Sequence, residues 1–312
     1  MRYLGEIISL VVAVSWTFSA WFADKASRRL GSMQTNVIRL GLASVFLAVL
    51  LWIAIGHPYP VYASAKAWLW LALSALVGYV FGDWCLFNCY LYIGPRFGQL
   101  LMTLAPPAAA IAGFFLLGEA LSWKSWLAMA VTLGGIALSI LSRGEGRHLK
   151  LSLPLKGILL GIGAGIGQGV GLVLSKVGME HYAAAVPPDA PQAMQTFLPF
   201  ASTLIRAIIG FIGFAILLSL QGKLANLRQA VRDAQGMKYA TLLTLFGPVF
   251  GVSLSLMAVR YADAGIASTL MALTPVLIIF PEVAINKKKI SFKEIAGVTI
   301  TMTGVALFFL LQ

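Results

Sequence analysis

Apolar residues run through this chain in long, continuous stretches, separated by short breaks that are polar or marked by proline and glycine. A helix needs about 20 mostly apolar residues to cross a bilayer. Ten stretches reach or approach that length: 4–23, 37–56, 67–90, 97–117, 124–142, 157–176, 199–220, 239–259, 265–285 and 294–311. The runs do not alternate and are about twice as long as a barrel strand. The pattern therefore predicts an all-α membrane protein with ten transmembrane helices. Gly56-His-Pro-Tyr-Pro60 closes the second stretch and Arg143-Gly-Glu-Gly-Arg147 the fifth. The one long break, 177–198, contains Pro187-Pro188-Asp189 and Pro191 and is expected to be a loop.

The pattern also repeats. Moved forward by 169 positions, Gly78–Leu141 lies on Gly247–Leu310 without a gap. Gly78-Tyr-Val-Phe-Gly82 meets Gly247-Pro-Val-Phe-Gly251, Leu101-Met-Thr-Leu-Ala-Pro106 meets Leu270-Met-Ala-Leu-Thr-Pro275, and Thr132 and Gly135 meet Thr301 and Gly304. The earlier helices match less closely, with Lys25 against Lys176 and Arg39 against Arg206, offsets of 151 and 167. The 16-residue difference assigns an insertion to 177–198. Residues 1–146 and 147–312 are thus expected to be two copies of one five-helix repeat. Five is odd, so the second copy must enter the bilayer upside down. An inverted repeat of this kind builds one site at the bilayer midplane and provides for alternating access.

Composition narrows the picture. Of 312 residues, 59% are hydrophobic and only 11% charged, against about 25% charged in a soluble domain. A net charge of +12 would suggest nucleic acid in a soluble chain. Here sixteen Lys and Arg fall in breaks after odd-numbered helices and five on the other side. That asymmetry is read as the cytoplasmic face, which turns both termini outward, and no nucleic acid is expected. Cys85 and Cys89 sit one helical turn apart with no histidine nearby, and His57, His148 and His181 lie in loops. Neither a metal nor a cofactor is implied, and no catalytic triad can be assembled. A membrane-embedded enzyme is disfavoured on that ground.

Candidate chemistry is confined to the few polar groups at membrane depth. Arg39, Asp83, Arg206 and Glu282 lie within or near the ends of the spans. A charge at the bilayer centre costs at least about 2.5–3.5 kcal/mol, so such groups face a cavity or a partner, although an arginine near a helix start can also reach the interface. Asp83 and Glu282 are the candidate carriers of a coupling proton. The sixth helix alternates glycine from Gly161 to Gly171 around Gln168. Its two glycine faces suit close helix packing, with Gln168 the polar side chain available to a cavity. Gly78/Gly82 and Gly247/Gly251 are matched G-x-x-x-G pairs, read as packing. Pro106 and Pro275 occupy matched positions inside helices 4 and 9 and are read as paired kinks, either simple bends or hinges. Trp16 is a candidate apolar wall.

The ordered set Gly82-Asp83, Tyr92-Ile-Gly94-Pro-Arg96, Pro106, Leu117-Gly118-Glu119-Ala-Leu-Ser122 and Gly134-Gly135-Ile-Ala-Leu resembles the EamA-type module of the drug/metabolite transporter superfamily. A second copy follows through Tyr261-Ala-Asp-Ala-Gly265, Leu273-Thr-Pro275 and Gly304-Val-Ala-Leu. The resemblance implies a ten-helix inverted-repeat bundle in a bacterial inner membrane. It also implies transport of a small-molecule metabolite, often export of amino acids or drug-like compounds. The copies differ at one point: Glu119 follows Pro106 by thirteen residues, and the matching position after Pro275 is Lys288. The expected protein is a monomer or homodimer in a lipid bilayer, coupled to protons or working as an uncoupled facilitator. A non-transporting scaffold or sensor subunit is the alternative from another class.

Overall fold

The computed structural model describes residues 3–142, 154–277 and 292–310, and these contain helices and no strand. The first half comprises α1 (Leu4–Leu30), α2 (Ser32–Ile55), α3 (Ala65–Ala75), α4 (Trp84–Met102), α5 (Ala105–Leu117) and α6 (Trp123–Ser142). The second comprises α7 (Leu155–Ala185), α8 (Gln192–Leu220), a short surface helix α9 (Leu224–Ala230), α10 (Ala234–Thr244), α11 (Ser253–Tyr261), α12 (Ala264–Met271), α13 (Thr274–Leu277) and α14 (Phe292–Leu310). Nine helical stretches among the described residues are long and apolar enough to cross a membrane. The stretch expected at 265–285 is described only as far as Leu277, and Glu282 lies outside the described residues.

Polarity is inverted relative to a soluble protein. Large apolar side chains such as Ile53, Leu69, Phe115, Leu220 and Phe292 point outward, whereas Ser9, Ser74, Thr132, Thr203 and Thr301 are buried. Many of these hydroxyls donate to the carbonyl four residues back, as Thr132 does to Ala128 and Thr301 to Gly297, each at 2.8 Å. In hydrocarbon, that internal bond is the cheapest way to satisfy a hydroxyl.

The heaviest packing crosses between the halves: α6 on α14, α2 on α8, α7 against α3, α4 and α5, and α1 against α10 and α11. Between α6 and α14, a side chain added at Gly135 would strike Thr301, one at Gly304 would strike Thr132, and one at Gly297 would lie 2.6 Å from the Ser139 nitrogen. As one index rises the other falls, so α6 and α14 run antiparallel.

Three sequence expectations need correction. Residues 177–198 do not form a long loop, because α7 continues to Ala185 and α8 begins at Gln192, leaving a short turn at 186–191. Polar residues such as Lys176 and Glu180 end an apolar run without ending a helix, and only the proline cluster does so. Second, Pro106 does not kink a helix from within. A turn at Thr103-Leu104 separates α4 from α5, and Pro106 sits in the first turn of α5, where a missing N–H costs nothing. The same break recurs at Ala272-Leu273 before Pro275 in α13. Third, the connection between the expected third and fourth helices is itself helical. The chain still reverses there, since Gly161 touches both Cys89 and Leu101.

Candidate substrate site

The site is built around a local widening of two helices. Between α3 and α4, Leu76–Asp83 forms a π-helix, and between α10 and α11, Leu245–Val252 does the same. The two are separated by the 169-residue offset of the repeat, as Leu76 and Leu245 show. A π turn re-aims side chains and leaves carbonyls poorly paired. In the second segment Pro248 removes a donor as well. Neighbouring helices satisfy part of this deficit: Gln168 donates to the Gly78 carbonyl at 3.0 Å, and Ser15 to the Phe246 carbonyl at 2.7 Å.

Glycines bring those neighbours close. A Cβ at Gly171 would lie 2.8 Å from Gly78 Cα, and one at Gly167 would lie 3.1 Å from Gly82 Cα. The other glycine face of α7, through Gly161, Gly165 and Gly169, packs on Leu101, Leu104 and Ala105. Both faces are thus occupied by packing, as small-residue stripes in membrane helices usually are. At the second π-helix, Gly251 faces Trp16 and Gly247 faces Ser19, just as Gly82 faces Gln168 and Gly78 faces Gly171. The register of α1 on α7 is therefore 152, one more than the Lys25–Lys176 match suggested. It also places Trp16, an indole, where the other cradle has the amide Gln168.

At the end of the first π-helix, Asp83 is buried and both its oxygens accept. Arg39 Nη2 donates to Oδ2 at 2.6 Å, and Gln168 Nε2 to Oδ1 at 2.7 Å. Three elements from both halves thus converge on one carboxylate. Gln168 uses both amide protons, on Gly78 and Asp83, which sets its orientation. Arg206 arrives from α8 with its guanidinium carbon 4.5 Å from the centre of the Tyr79 ring. Arg39, Asp83, Gln168 and Arg206 are therefore brought together around the first π-helix, while Trp16 stands at the second. Beyond Asp83, a lateral apolar cavity of about 480 Å³ is lined by Phe81, Trp84, Cys85, Leu159 and Leu160, with Lys156 as its basic group.

A second polar cluster lies near the end of the bundle that carries Tyr3 and Leu310. Lys176 pairs with Glu119, and its ammonium also donates to the Ala262 carbonyl at 3.0 Å. The other Glu119 oxygen accepts from the Ala264 N–H at 2.8 Å, which satisfies an orphan donor at the start of α12. Beside them Asp263 titrates above the usual carboxylate range, first because burial disfavours its charge and then because Glu119 is near, with Lys176 opposing. Sequence reasoning noted Glu119 and Lys176 without pairing them and passed over Tyr79. Their partners lie 57 and more residues away, and no local pattern announces such contacts. At the opposite end Arg29 clasps Asp233 through two bonds of 2.8 and 2.9 Å, again across the halves.

The sequence profile of the EamA-like transporter family matches residues 3–141 and 155–310. The chain belongs to the EamA-like transporter family. Its nine long apolar helices among the described residues fit that family as a multi-pass membrane protein. Over 143 residues it is 27% identical to the uncharacterized inner membrane transporter YedA of Escherichia coli K12, and equally to that protein in strains O6:H1 and O157:H7. That alignment covers 45% of this chain and 45% of YedA, so the chain matches slightly under half the length of these relatives. One crystal structure shares the fold over 98% of this chain and 96% of its own, with a TM-score of 0.74 and 16% identity.

Proposed function

We propose that the chain is a secondary transporter that exports a small organic metabolite by alternating access, through rocking of two inverted five-helix halves. The observation that carries this reading is the carboxylate Asp83 held by Arg39 from one half and Gln168 from the other, beside Arg206. Polar groups at this depth are expensive, and a purely structural bundle has no need of them. Inversion is supported by the contact register of α6 and α14. The pairs Gly135–Thr301 and Thr132–Gly304 exchange under the repeat offset, as they must if a two-fold axis in the membrane plane relates the halves. Matched breaks before Pro106 and Pro275 serve as hinges. The Glu119–Lys176 cluster closes the end facing outward, and the more exposed Arg29–Asp233 pair bridges the cytoplasmic end. Protonation of Asp83 would release Arg39, which couples a proton to movement of the halves.

The test compares cells overproducing the wild-type chain with cells carrying Asp83→Asn at equal membrane level, by mass spectrometry of medium and cell extract. At least one small organic solute should shift from cell to medium in the wild type alone. Identical solute profiles in the two would refute the reading.

A further inference from the structure

Arg206 is only 4% exposed, and its Nε is buried without a hydrogen-bond partner. Among the described residues no carboxylate forms a salt bridge or hydrogen bond with it; its guanidinium lies on the Tyr79 ring face, and Asp83, already bonded to Arg39 and Gln168, feels its charge only at longer range. The repeat makes this informative. Arg39 and Arg206 are matched, and the Asp83 that neutralises Arg39 has Val252 as its counterpart 169 positions on. One arginine has its anion built in; the other does not. A cation–π contact is weaker than the penalty of burying an uncompensated charge. Other donors stand alongside. The Tyr79 hydroxyl is buried and unpartnered, and so is Ser202 Oγ, one helical turn before Arg206. With Asp83 cancelling Arg39, the cluster keeps a single positive charge and spare donors.

We infer that Arg206 receives the carboxylate of the transported solute, so that the substrate class is small organic monoanions. A carboxylate offers about four acceptor positions, which suits a guanidinium flanked by hydroxyls. An amine would be repelled, and a phosphate dianion would remain half-neutralised. Arg206 Nε and the Tyr79 and Ser202 hydroxyls are closed off from solvent here, so the anion reaches them as the halves part. This inference names the substrate class of the transporter reading and rests on it.

The first test needs no ligand. Arg206→Met removes an uncompensated charge, so its melting temperature in detergent should equal or exceed that of the wild type. A fall as large as that of Arg39→Met would mean that the chain itself supplies an anion, and would overturn the inference. The second test measures melting of the full-length wild type with millimolar butyrate or 3-phenylpropionate, against the matching amides and amines. Acids alone should raise the melting temperature, by a few degrees, with the shift lost in Arg206→Gln and partly kept in Arg206→Lys. Equal shifts from acids and amides, or none from any acid, would overturn it. Proteoliposomes loaded with the same compounds separate the two readings. Movement of amides or amines without acid binding leaves transport standing and removes the inference. Acid binding through Arg206 without any movement does the reverse.

Discussion

Asp83 and Arg39 form a pair whose energetics can be worked out in advance. Their side chains are 10% and 19% exposed and 2.6 Å apart, so neither is solvated well enough to stand alone. Removing one partner of such a pair costs about 3–5 kcal/mol, chiefly through the charge left behind, whereas replacing both with apolar groups is nearly neutral. Asp83→Leu and Arg39→Met should each fall at the low end, about 3 kcal/mol, since the residual exposure of Arg39 admits some water. The double variant should lose much less than the sum, about 1–3 kcal/mol for the Gln168 donor left without its acceptor; the coupling is then at least about 3 kcal/mol, at or above the top of the usual range for contacting residues. Unfolding by SDS in mixed micelles, followed by far-ultraviolet ellipticity, measures all four corners of the cycle. Additive losses, or single variants as stable as the wild type, would show that the pair does not hold the two helices together.

Other consequences are equally direct. Gly135→Ala puts a methyl into the Thr301 backbone and should cost about 1–3 kcal/mol as overpacking, whereas Gly134→Ala meets nothing within 4 Å and should gain about 1 kcal/mol of helix propensity; chemical denaturation of both separates the faces of α6. Glu119→Ala removes the acceptor of the Ala264 N–H, so amide exchange at Ala264 should accelerate while that in α14 stays unchanged. Asp263 has its titration raised above the ordinary 3.8, so it favours the fold below that value and loses this contribution as pH rises through the folded value. Asp263→Asn should therefore flatten the fall in melting temperature on the acid side just above 3.8, and an unchanged pH profile would contradict the burial argument.

The membrane spans and the repeat could be read from residues alone because both are linear properties. A bilayer demands a minimum apolar length, and a duplicated unit keeps its spacing, so Gly78 and Gly247, or Thr132 and Thr301, align without reference to the fold. The same logic marked Arg39, Asp83 and Arg206 as costly at their depth, whatever they touch. Element ends were less legible. The helix α7 runs through Lys176 to Ala185, because hydropathy records the lipid boundary and hydrogen bonding the helix boundary, and the two need not coincide. Sequence likewise placed Pro106 inside a helix, since proline identity alone does not say whether the preceding carbonyls are paired.

Only the tertiary structure decided which polar groups meet. Equivalent arginines received different surroundings: Asp83 and Gln168 beside Arg39, an aromatic face beside Arg206. The pairing of Glu119 with Lys176 and Ala264 joins three segments from two halves. The widened turns at Asp83 and Val252 also depend on it, because a π-helix persists where a neighbouring side chain takes up its loosened carbonyl. Gln168 and Ser15 do this from across the bundle. Burial depth is written along one dimension, but electrostatic compensation is set by contacts between distant segments, and those exist only once the two halves have packed.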